Sequence, residues 1–159
     1  HPLLLVTDES MEDEVVTRLA RVGYDNVFGY LKGGITAWKV SGKEVDTIER
    51  IDATEFAKRF HANKLRVVDV RKDGEYAAEH VDGAWHASLQ FINQEMAAFS
   101  KDEPNYVHCA GGYRSMIAAS LLKSRGYHNL VEVRGGFNAI KNTDIKVTDY
   151  VCPSTVIRK

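Results

Sequence analysis

The feature that most constrains this chain is a short apolar segment, residues 105–108, that leads into Cys109, a glycine-containing loop and a helix-forming stretch, residues 113–123. A loop between a strand end and a helix N-terminus collects unpaired backbone N–H groups at the positive end of the helix dipole. Such a loop binds anions and favours the thiolate form of a cysteine at its rim. The pattern therefore predicts a strand–loop–helix unit with a reactive cysteine. The alternative is a buried Cys109 that acts only as a small apolar residue.

The residues after the cysteine have the chemistry of an anion site. Gly111 and Gly112 allow the loop to curl so that several N–H groups point at one spot, and Arg114 adds a positive charge near the helix start. We therefore predict Cys109 and Arg114 as the catalytic residues. The predicted substrate-binding residues are the rest of the loop and the serine that follows it: Ala110, Gly111, Gly112, Tyr113 and Ser115.

Composition argues against several classes of function. The net charge of −1 gives no reason to expect nucleic acid or an anionic membrane surface as a partner, and no apolar run reaches the ~18–20 residues of a membrane span. Two cysteines, Cys109 and Cys152, are too few for a disulfide scaffold and favour a cytoplasmic protein with reduced thiols. The first residue is His1 rather than Met, from which we expect the natural N-terminus to be missing or processed.

Strand-like and helix-like segments alternate along the chain, which favours an α/β fold with a mostly parallel central sheet flanked by helices. Asp8 and Ser10 are the predicted caps of the first helix, and Asp52 begins a capping box for another. Residues 73–80 and 91–99 are also predicted to be helical. The predicted strands are residues 2–7, 26–31, 48–51, 65–70, 83–89, 105–108 and 129–133.

An internal repeat divides the chain, because residues 21–38 resemble residues 124–140 and both contain a Gly-Gly pair before a short helix. In this alignment residues 7–10, Thr-Asp-Glu-Ser, take the place of the cysteine loop, and their acidic side chains would repel an anion. We therefore predict three regions: the C-terminal half of a degenerate, inactive domain in residues 1–46, the active domain in residues 47–145, and a C-terminal tail in residues 146–159.

The apolar strand segments of the half-copy, residues 1–46, are predicted to be buried on both faces. A lone half-domain would leave an open, apolar sheet edge, which native proteins avoid. We therefore expect residues 1–46 to be a remnant of a larger protein and to pack on the second domain or on another chain.

The motifs of residues 48–145 resemble those of the rhodanese (sulfurtransferase) family. The matching segments are Val68-Asp69-Val70-Arg71, Glu75-Tyr76, residues 80–84, the loop from Cys109 to Arg114, and Gly135-Gly136. A degenerate copy before an active copy also resembles the C-terminal region of fusions between a metallo-β-lactamase-fold persulfide dioxygenase and rhodanese domains. The resemblance implies a rhodanese-like fold preceded by a half-copy, a persulfide on Cys109, an upstream metal-binding domain, and no cofactor in this chain.

The activity that this resemblance implies is transfer of sulfane sulfur from thiosulfate, a polysulfide or a low-molecular-weight persulfide to a thiophilic acceptor. One alternative is a sulfur-relay module that serves a fused persulfide dioxygenase without turnover. Another is a cysteine-dependent phosphatase or arsenate reductase, but four residues, not the five of the phosphatase signature, separate Cys109 from Arg114. The implied partners are small-molecule sulfur donors and acceptors, and the sequence leaves homo-oligomerisation open.

Other residues are weaker candidates for a direct role. His108 adjoins the nucleophile, but neighbouring side chains on a strand point to opposite faces. We expect Asp69 to make buried structural hydrogen bonds, and Trp38 and Trp85 to belong to the core. Cys152 precedes a proline in the tail and is expected to be incidental.

Overall fold

A computed structural model of the chain describes residues 1–152 and divides into two compact units. The first unit is His1–Thr47, and the second begins at Ile48. In the described residues no helix is both long enough and apolar enough to cross a membrane.

The first unit contains a two-stranded parallel sheet and two helices. β1 (Leu3–Leu5) pairs with β2 (Val27–Tyr30), and the helices are α1 (Glu12–Ala20) and α2 (Gly34–Val40). The prediction that both strands are buried on both faces is wrong, since Leu4 is 77% exposed and Phe28 is 81% exposed. Burial alternates along β2, as expected for strands that are covered on one face only.

The first helix begins without the side-chain cap that the sequence predicts. The expected caps are Asp8 and Ser10, but α1 begins after Met11, which makes no side-chain capping hydrogen bond. The Met11 N–H donates to the Asp8 carbonyl at 3.2 Å, and Ser10 adopts a left-handed conformation with a φ of +66°. This tight turn takes both polar side chains away from the capping position.

The second unit is an α/β domain with a five-stranded sheet. Its strands are β3 (Glu49–Ile51), β4 (Arg66–Asp69), β5 (Trp85–His86), β6 (Asn105–His108) and β7 (Leu130–Val133). Its helices are α3 (Ala53–Ala62), α4 (Asp73–Ala78), α5 (Tyr113–Lys123) and α6 (Gly136–Ile140). The spatial order of the strands is β3-β7-β6-β4-β5, and each pairing between neighbours is parallel. The predicted α/β class with a parallel central sheet is confirmed.

Apolar side chains from this sheet form two cores, one on each face, because neighbouring residues on a strand point in opposite directions. The first core includes strand and helix residues Val67, Tyr106, Val131, Phe56, Phe137 and Ile140. The second includes Val68, Val107, Cys109, Ala118, Ala119 and Leu122. The capping box is confirmed at the start of α3, where Asp52 Oδ1 accepts the Glu55 N–H at 2.8 Å.

The helix predicted over residues 91–99 is wrong. Two short 3-10 turns, Leu89–Phe91 and Met96–Ala98, occupy this region. The buried apolar residues Ile92 and Phe99 lie seven positions apart, which is a helical spacing, but the segment forms two separate turns instead of one helix. The segment is held by its buried side chains rather than by a regular hydrogen-bond ladder.

The prediction that the two tryptophans belong to the core is wrong. Trp85 is 51% exposed and lies under the Arg66 guanidinium, 4.7 Å from the ring centroid. Trp38 is 39% exposed and donates its indole N–H to the Glu44 carbonyl at 2.8 Å. Both rings are amphipathic, and at the protein surface the N–H of Trp38 finds an acceptor and the ring face of Trp85 contacts a cation.

The start of the predicted tail is tied to the second unit by backbone hydrogen bonds. Val147 forms an antiparallel bridge with Val81, and the Thr148 N–H donates to the His80 carbonyl at 2.8 Å. Cys152 is exposed. Residues 153–159 of the predicted tail lie outside the described residues.

Candidate active site

Cys109 follows directly after β6, the central strand of the five-stranded sheet. The carboxyl ends of parallel strands form the edge at which α/β proteins place their ligand sites. Gly112 then begins α5 with a φ of +107°, and a Cβ at this position would lie 3.2 Å from Glu132 Oε1. The loop therefore requires glycine at the point where it turns into the helix.

The Gly-Gly pair before α6 holds the cysteine loop in place. The Phe137 N–H donates to the Cys109 carbonyl at 2.6 Å, and the Asn138 N–H donates to the Ala110 carbonyl at 3.1 Å. Gly136 has a φ of +55°, and a Cβ there would lie 2.2 Å from the Cys109 carbonyl oxygen. Contacts with α6 thus occupy the carbonyl groups of the loop, and its N–H groups remain to serve the sulfur.

The Cys109 sulfur is buried among hydrogen-bond donors. The Gly112 N–H donates to Sγ at 3.1 Å, and Ser115 Oγ lies 3.5 Å from Sγ. Burial raises the pKa of the Cys109 thiol, but the hydrogen bonds around the sulfur, three of them from backbone N–H groups, lower it more, so that the pKa lies below its usual value. The three N–H groups belong to Ser115, Gly112 and Gly111. This is the direction that the sequence predicts.

Arg114 is not an isolated positive charge. Its two terminal nitrogens donate to the two carboxylate oxygens of Glu75 at 2.6 and 2.9 Å. The hydrogen bond from Arg114 holds the pKa of Glu75 below its usual value, although partial burial opposes this. The Arg114 charge and the Cys109 thiolate also attract each other. Helix α4, which carries Glu75, therefore fixes the arginine beside the loop.

Asp69 and Arg71, at the end of β4, form a buried ion pair. Arg71 Nη2 donates to Asp69 Oδ2 at 2.6 Å, and the Arg71 backbone N–H donates to Oδ1 at 2.9 Å. The guanidinium carbon lies 4.0 Å from the centroid of the Phe137 ring. Asp69 therefore has the structural role that the sequence predicts.

His108 is fully buried next to this ion pair. Its Nδ1 lies 3.9 Å from Asp69 Oδ1, and its ring stacks at 6.2 Å on Phe137, a residue of the first core, whereas Cys109 belongs to the second. Burial lowers the pKa of His108, although Asp69 opposes this. Burial therefore favours the neutral ring, and the ring faces away from the nucleophile, as the alternation of side chains along the strand predicts.

The residues of the loop differ in their exposure to solvent. Gly111 is exposed and Ala110 is half-buried, whereas Ser115 is fully buried. The Tyr113 side chain is 81% exposed at the first position of α5. Of the predicted substrate-binding residues, Gly111, Gly112 and Ser115 thus lie around the sulfur, and Tyr113 lies on the solvent side.

Two carboxylates near the loop were not predicted as site residues. Glu75 pairs with Arg114, which is 39 positions away, and Glu132 accepts a hydrogen bond from the Ser115 hydroxyl at 2.8 Å across 17 positions. The acidic residue within the otherwise apolar strand β7 was the one sequence signal for the second. Such an acid is expensive to bury without partners.

The arrangement is suited to nucleophilic chemistry at sulfur. A thiolate at Cys109 can attack, and the N–H donors around it can stabilise negative charge on an atom that becomes attached to it. Among residues 1–152, no group of three or more His, Cys, Asp or Glu side chains is placed to hold a metal ion.

Comparison with known proteins gives a consistent result. The family described as rhodanese-like domain matches residues 52–143. A protein of Pseudomonas paraeruginosa named thiosulfate sulfurtransferase GlpE is 34% identical over 92 residues, which cover 58% of this chain and 83% of that protein. The crystal structure of a rhodanese-like domain protein from Staphylococcus aureus matches with a TM-score of 0.58 and 28% identity, and covers 64% of this chain and 100% of that one.

A longer structure extends the match in fold to the first unit. The thiosulfate sulfurtransferase from Pseudomonas aeruginosa matches 94% of this chain and 33% of its own, with a TM-score of 0.54. At 21% identity this match concerns the fold alone.

Proposed function

The chain belongs to the rhodanese-like domain family, and on that premise we propose that it is a sulfurtransferase that carries sulfane sulfur as a persulfide on Cys109. The observation that carries this proposal is the buried Cys109 thiol, whose pKa is lowered by the hydrogen bonds of the backbone N–H groups around it. The relatives named thiosulfate sulfurtransferase support sulfur transfer as the class of reaction. The predicted rhodanese-like fold is confirmed.

The first step loads the cysteine. The Cys109 thiolate attacks the outer sulfur of thiosulfate, a polysulfide or a small persulfide, and a new S–S bond forms. The S–S bond of the donor breaks, and its electron pair leaves with sulfite or with a thiolate. The lowered pKa of Cys109 supports this step because the thiolate, not the thiol, is the nucleophile.

The second step transfers the sulfur. A thiolate or other thiophile attacks the outer sulfur of the persulfide, and the Cys109 thiolate leaves with the electron pair of the broken bond. The Gly112 N–H, 3.1 Å from Sγ, is placed to stabilise the thiolate that is released. Because the enzyme alternates between two covalent forms, the kinetics are ping-pong.

Arg114 is proposed to position an anionic donor at the rim of the loop. Its pairing with Glu75 compensates most of its charge, so its contribution is geometric as much as electrostatic. A donor that displaces neither partner can still accept a hydrogen bond from the remaining N–H groups of the guanidinium. The exposed ring of Tyr113 forms the solvent side of the same entrance.

We infer that the first unit is a degenerate half-copy without catalytic residues. Its Gly33-Gly34 pair has φ values of +74° and +56°, close to the +73° and +55° of Gly135-Gly136. A Cβ at Gly34 would lie 2.6 Å from the Thr7 carbonyl oxygen, just as one at Gly136 would meet the carbonyl of Cys109. Thr7 therefore stands where the active copy has its nucleophile.

Intact-mass spectrometry after treatment with thiosulfate or a small persulfide tests the proposal. The wild type and the Cys152→Ser variant should gain the mass of one sulfur atom, and Cys109→Ser should gain none. Release of that sulfur to cyanide or a small thiol distinguishes a turning-over enzyme from a relay module. Absence of sulfur loading in the wild type, or full sulfur transfer by Cys109→Ser, would refute the sulfurtransferase. Hydrolysis of a phosphate monoester that depends on Cys109 would instead favour a phosphatase.

A further inference from the structure

Glu132 is a buried carboxylate that the proposed mechanism does not use. It lies within β7, its side chain is fully buried, and its strand neighbours Val131 and Val133 are apolar core residues. Its Oε2 accepts a hydrogen bond from Arg50 Nε at 2.8 Å, and its Oε1 accepts one from the Ser115 hydroxyl at 2.8 Å. A buried charge must be paired to persist, and Arg50 supplies the pairing. The second contact connects this charge to the active site.

The hydroxyl of Ser115 has one proton and three acceptors within reach. These are Glu132 Oε1 at 2.8 Å, the Gly112 carbonyl at 3.0 Å and Cys109 Sγ at 3.5 Å. The carboxylate is the nearest acceptor, and hydrogen bonds to a charged acceptor are the stronger ones. The proton therefore points to Glu132, and the lone pairs of Ser115 Oγ face the sulfur.

In this orientation the Glu132 carboxylate and the Ser115 lone pairs both disfavour a negative charge on Cys109 Sγ. The carboxylate oxygen lies at most about 6.3 Å from Cys109 Sγ, the limit set by the 2.8 and 3.5 Å contacts of Ser115 Oγ. A like charge at such a distance disfavours the thiolate. In a persulfide, the negative charge moves to the outer sulfur, one S–S bond of about 2 Å farther out. The side of Sγ next to Ser115 is filled, so the outer sulfur adds on the open side of the loop.

We propose that Glu132 is a positioning residue for sulfur transfer, which holds the Ser115 hydroxyl proton away from Cys109 Sγ and thereby favours the persulfide form over the free thiolate. The proposal rests on the sulfurtransferase function in its second part only. Its first part, control of the charge on Cys109 through Ser115, concerns the protein without any sulfur substrate.

Other charged groups around Cys109 are compensated by their own partners. Arg114 is paired with Glu75, and Arg71 with Asp69. His108 is buried, and burial lowers its pKa. Removal of the Glu132 charge is therefore expected to act on the sulfur directly and through Ser115, without a change in these pairs.

The experiment measures the rate of Cys109 alkylation by iodoacetamide against pH, in a Cys152→Ser background with a single thiol. Glu132→Gln keeps the shape of the side chain and removes its charge, and the midpoint of the profile should fall by about one pH unit. Ser115→Ala in the presence of Glu132 should leave the midpoint almost unchanged. In Glu132→Gln the Ser115 hydroxyl is released and donates to the sulfur. The double variant Ser115→Ala/Glu132→Gln loses this hydroxyl, so its midpoint should be higher than that of Glu132→Gln alone.

Glu49→Gln is the matched control, since Glu49 is also paired with an arginine, Arg59 at 2.9 Å, on a strand of the same sheet. Its midpoint should equal that of the parent. An unchanged or higher midpoint in Glu132→Gln would overturn the proposal. A clearly higher midpoint in Ser115→Ala alone would also overturn it, because it would mean that the hydroxyl already donates to the sulfur in the parent. This second test does not depend on whether Glu132→Gln folds.

The persulfide part is read from the fraction of Cys109 that is loaded at a fixed ratio of small persulfide to thiol. This fraction should fall in Glu132→Gln and stay constant in Glu49→Gln. A shifted alkylation profile in a protein that accepts no sulfur would refute the proposed function and leave the charge control standing. Normal sulfur loading with an unshifted profile would do the reverse.

Discussion

At the scale of single residues, the reactivity of Cys109 is a balance of opposed effects. Burial raises its pKa, while hydrogen bonds around the sulfur, including those from backbone N–H groups, lower it, with a net decrease. The N–H contribution could be predicted from the strand–glycine–helix pattern, because those groups are left unpaired by the helix itself. The hydrogen bond from the Ser115 hydroxyl to Glu132 could not be predicted, since it depends on a contact between residues far apart in the sequence.

The lowered pKa predicts how persulfide formation depends on pH. The rate of loading from thiosulfate should rise with pH as the thiolate forms and then level off. Because the pKa of Cys109 is below its usual value, half of the maximal rate should be reached below the ~8.5 of a free cysteine. Single-turnover mass spectrometry between about pH 5 and 9 gives this profile. A half-maximum at or above the free-cysteine value would contradict the hydrogen bonding described for the loop.

Glu75→Gln should weaken the positioning of Arg114. The bidentate pair at 2.6 and 2.9 Å becomes a single hydrogen bond to an uncharged amide oxygen, and the arginine gains freedom. We expect kcat/KM for thiosulfate to fall roughly tenfold, because small misplacements of a substrate-orienting group are costly. Glu55→Gln, which removes a pair with Arg59 in α3, is the control and should leave kcat/KM unchanged.

The same pair has a predictable effect on stability against pH. Since the hydrogen bond from Arg114 lowers the pKa of Glu75 on folding, its stabilisation is fully present above the unfolded value of ~4.3 and is lost as pH falls through the lower folded pKa. The difference in Tm between wild type and Glu75→Gln should be constant from about pH 5 to 7 and shrink below about pH 4. Both side chains are partly exposed, so the free energy involved is less than about 1 kcal/mol. A difference that grows at acid pH would show that another group causes it.

At the scale of elements, α6 determines the shape of the cysteine loop. Its first N–H groups bind the carbonyls of Cys109 and Ala110, and Gly136 lets the two backbones meet. The Gly-Gly pair can be recognised in the sequence as part of a motif and a repeat. What it contacts could not be predicted, because the two segments are separated by α5 and β7.

Gly136→Ala tests this contact. A Cβ would lie 2.2 Å from the Cys109 carbonyl oxygen, and the backbone φ of +55° is unfavourable for alanine. Gly126→Ala is the matched control, with a φ of +84° and no atom within 4 Å of the added Cβ. The control should lose about 1–2 kcal/mol of stability, the cost of the left-handed conformation alone, and keep its activity.

In contrast, Gly136→Ala should lose more stability and most of its persulfide formation, because the loop must move. Thermal unfolding and single-turnover loading measure the two effects. Equal losses in both variants would mean that the close approach of α6 to the loop contributes nothing beyond backbone strain.

Regular elements were predictable where one local signal dominates, and not where several weak ones compete. Asp52 marks the start of α3 correctly because its side chain is the cap. The region of residues 91–99 is rich in helix formers and has Ile92 and Phe99 buried at a helical spacing, yet it forms two 3-10 turns, so tertiary packing overrides the local pattern. At Ser10, a left-handed turn prevents the expected cap.

At the scale of the whole molecule, the two units differ in how much apolar surface they bury. All residues of both apolar cores lie in the second unit. In the first unit, Leu4, Phe28 and Tyr30 are more than half exposed, and a groove of about 470 Å³ runs along its sheet between Leu4 and Trp38. A piece of fewer than ~50 residues with so little burial cannot be expected to fold alone.

Fragments divided between Thr47 and Ile48 should therefore behave differently. The fragment from Ile48 onward keeps both cores, the Cys109 loop, Glu75 and Glu132, and should retain persulfide loading at the rate of the full chain. The fragment of residues 1–47 should be unfolded by circular dichroism. A Tm of the longer fragment equal to that of the full chain would mean that the half-copy adds no stability to the active domain. A Tm several degrees lower would mean that residues 1–47 stabilise the domain in the full chain. That result would support the expectation that the half-copy packs on this domain. Loss of persulfide loading in a folded longer fragment would contradict the assignment of the whole active site to the second unit.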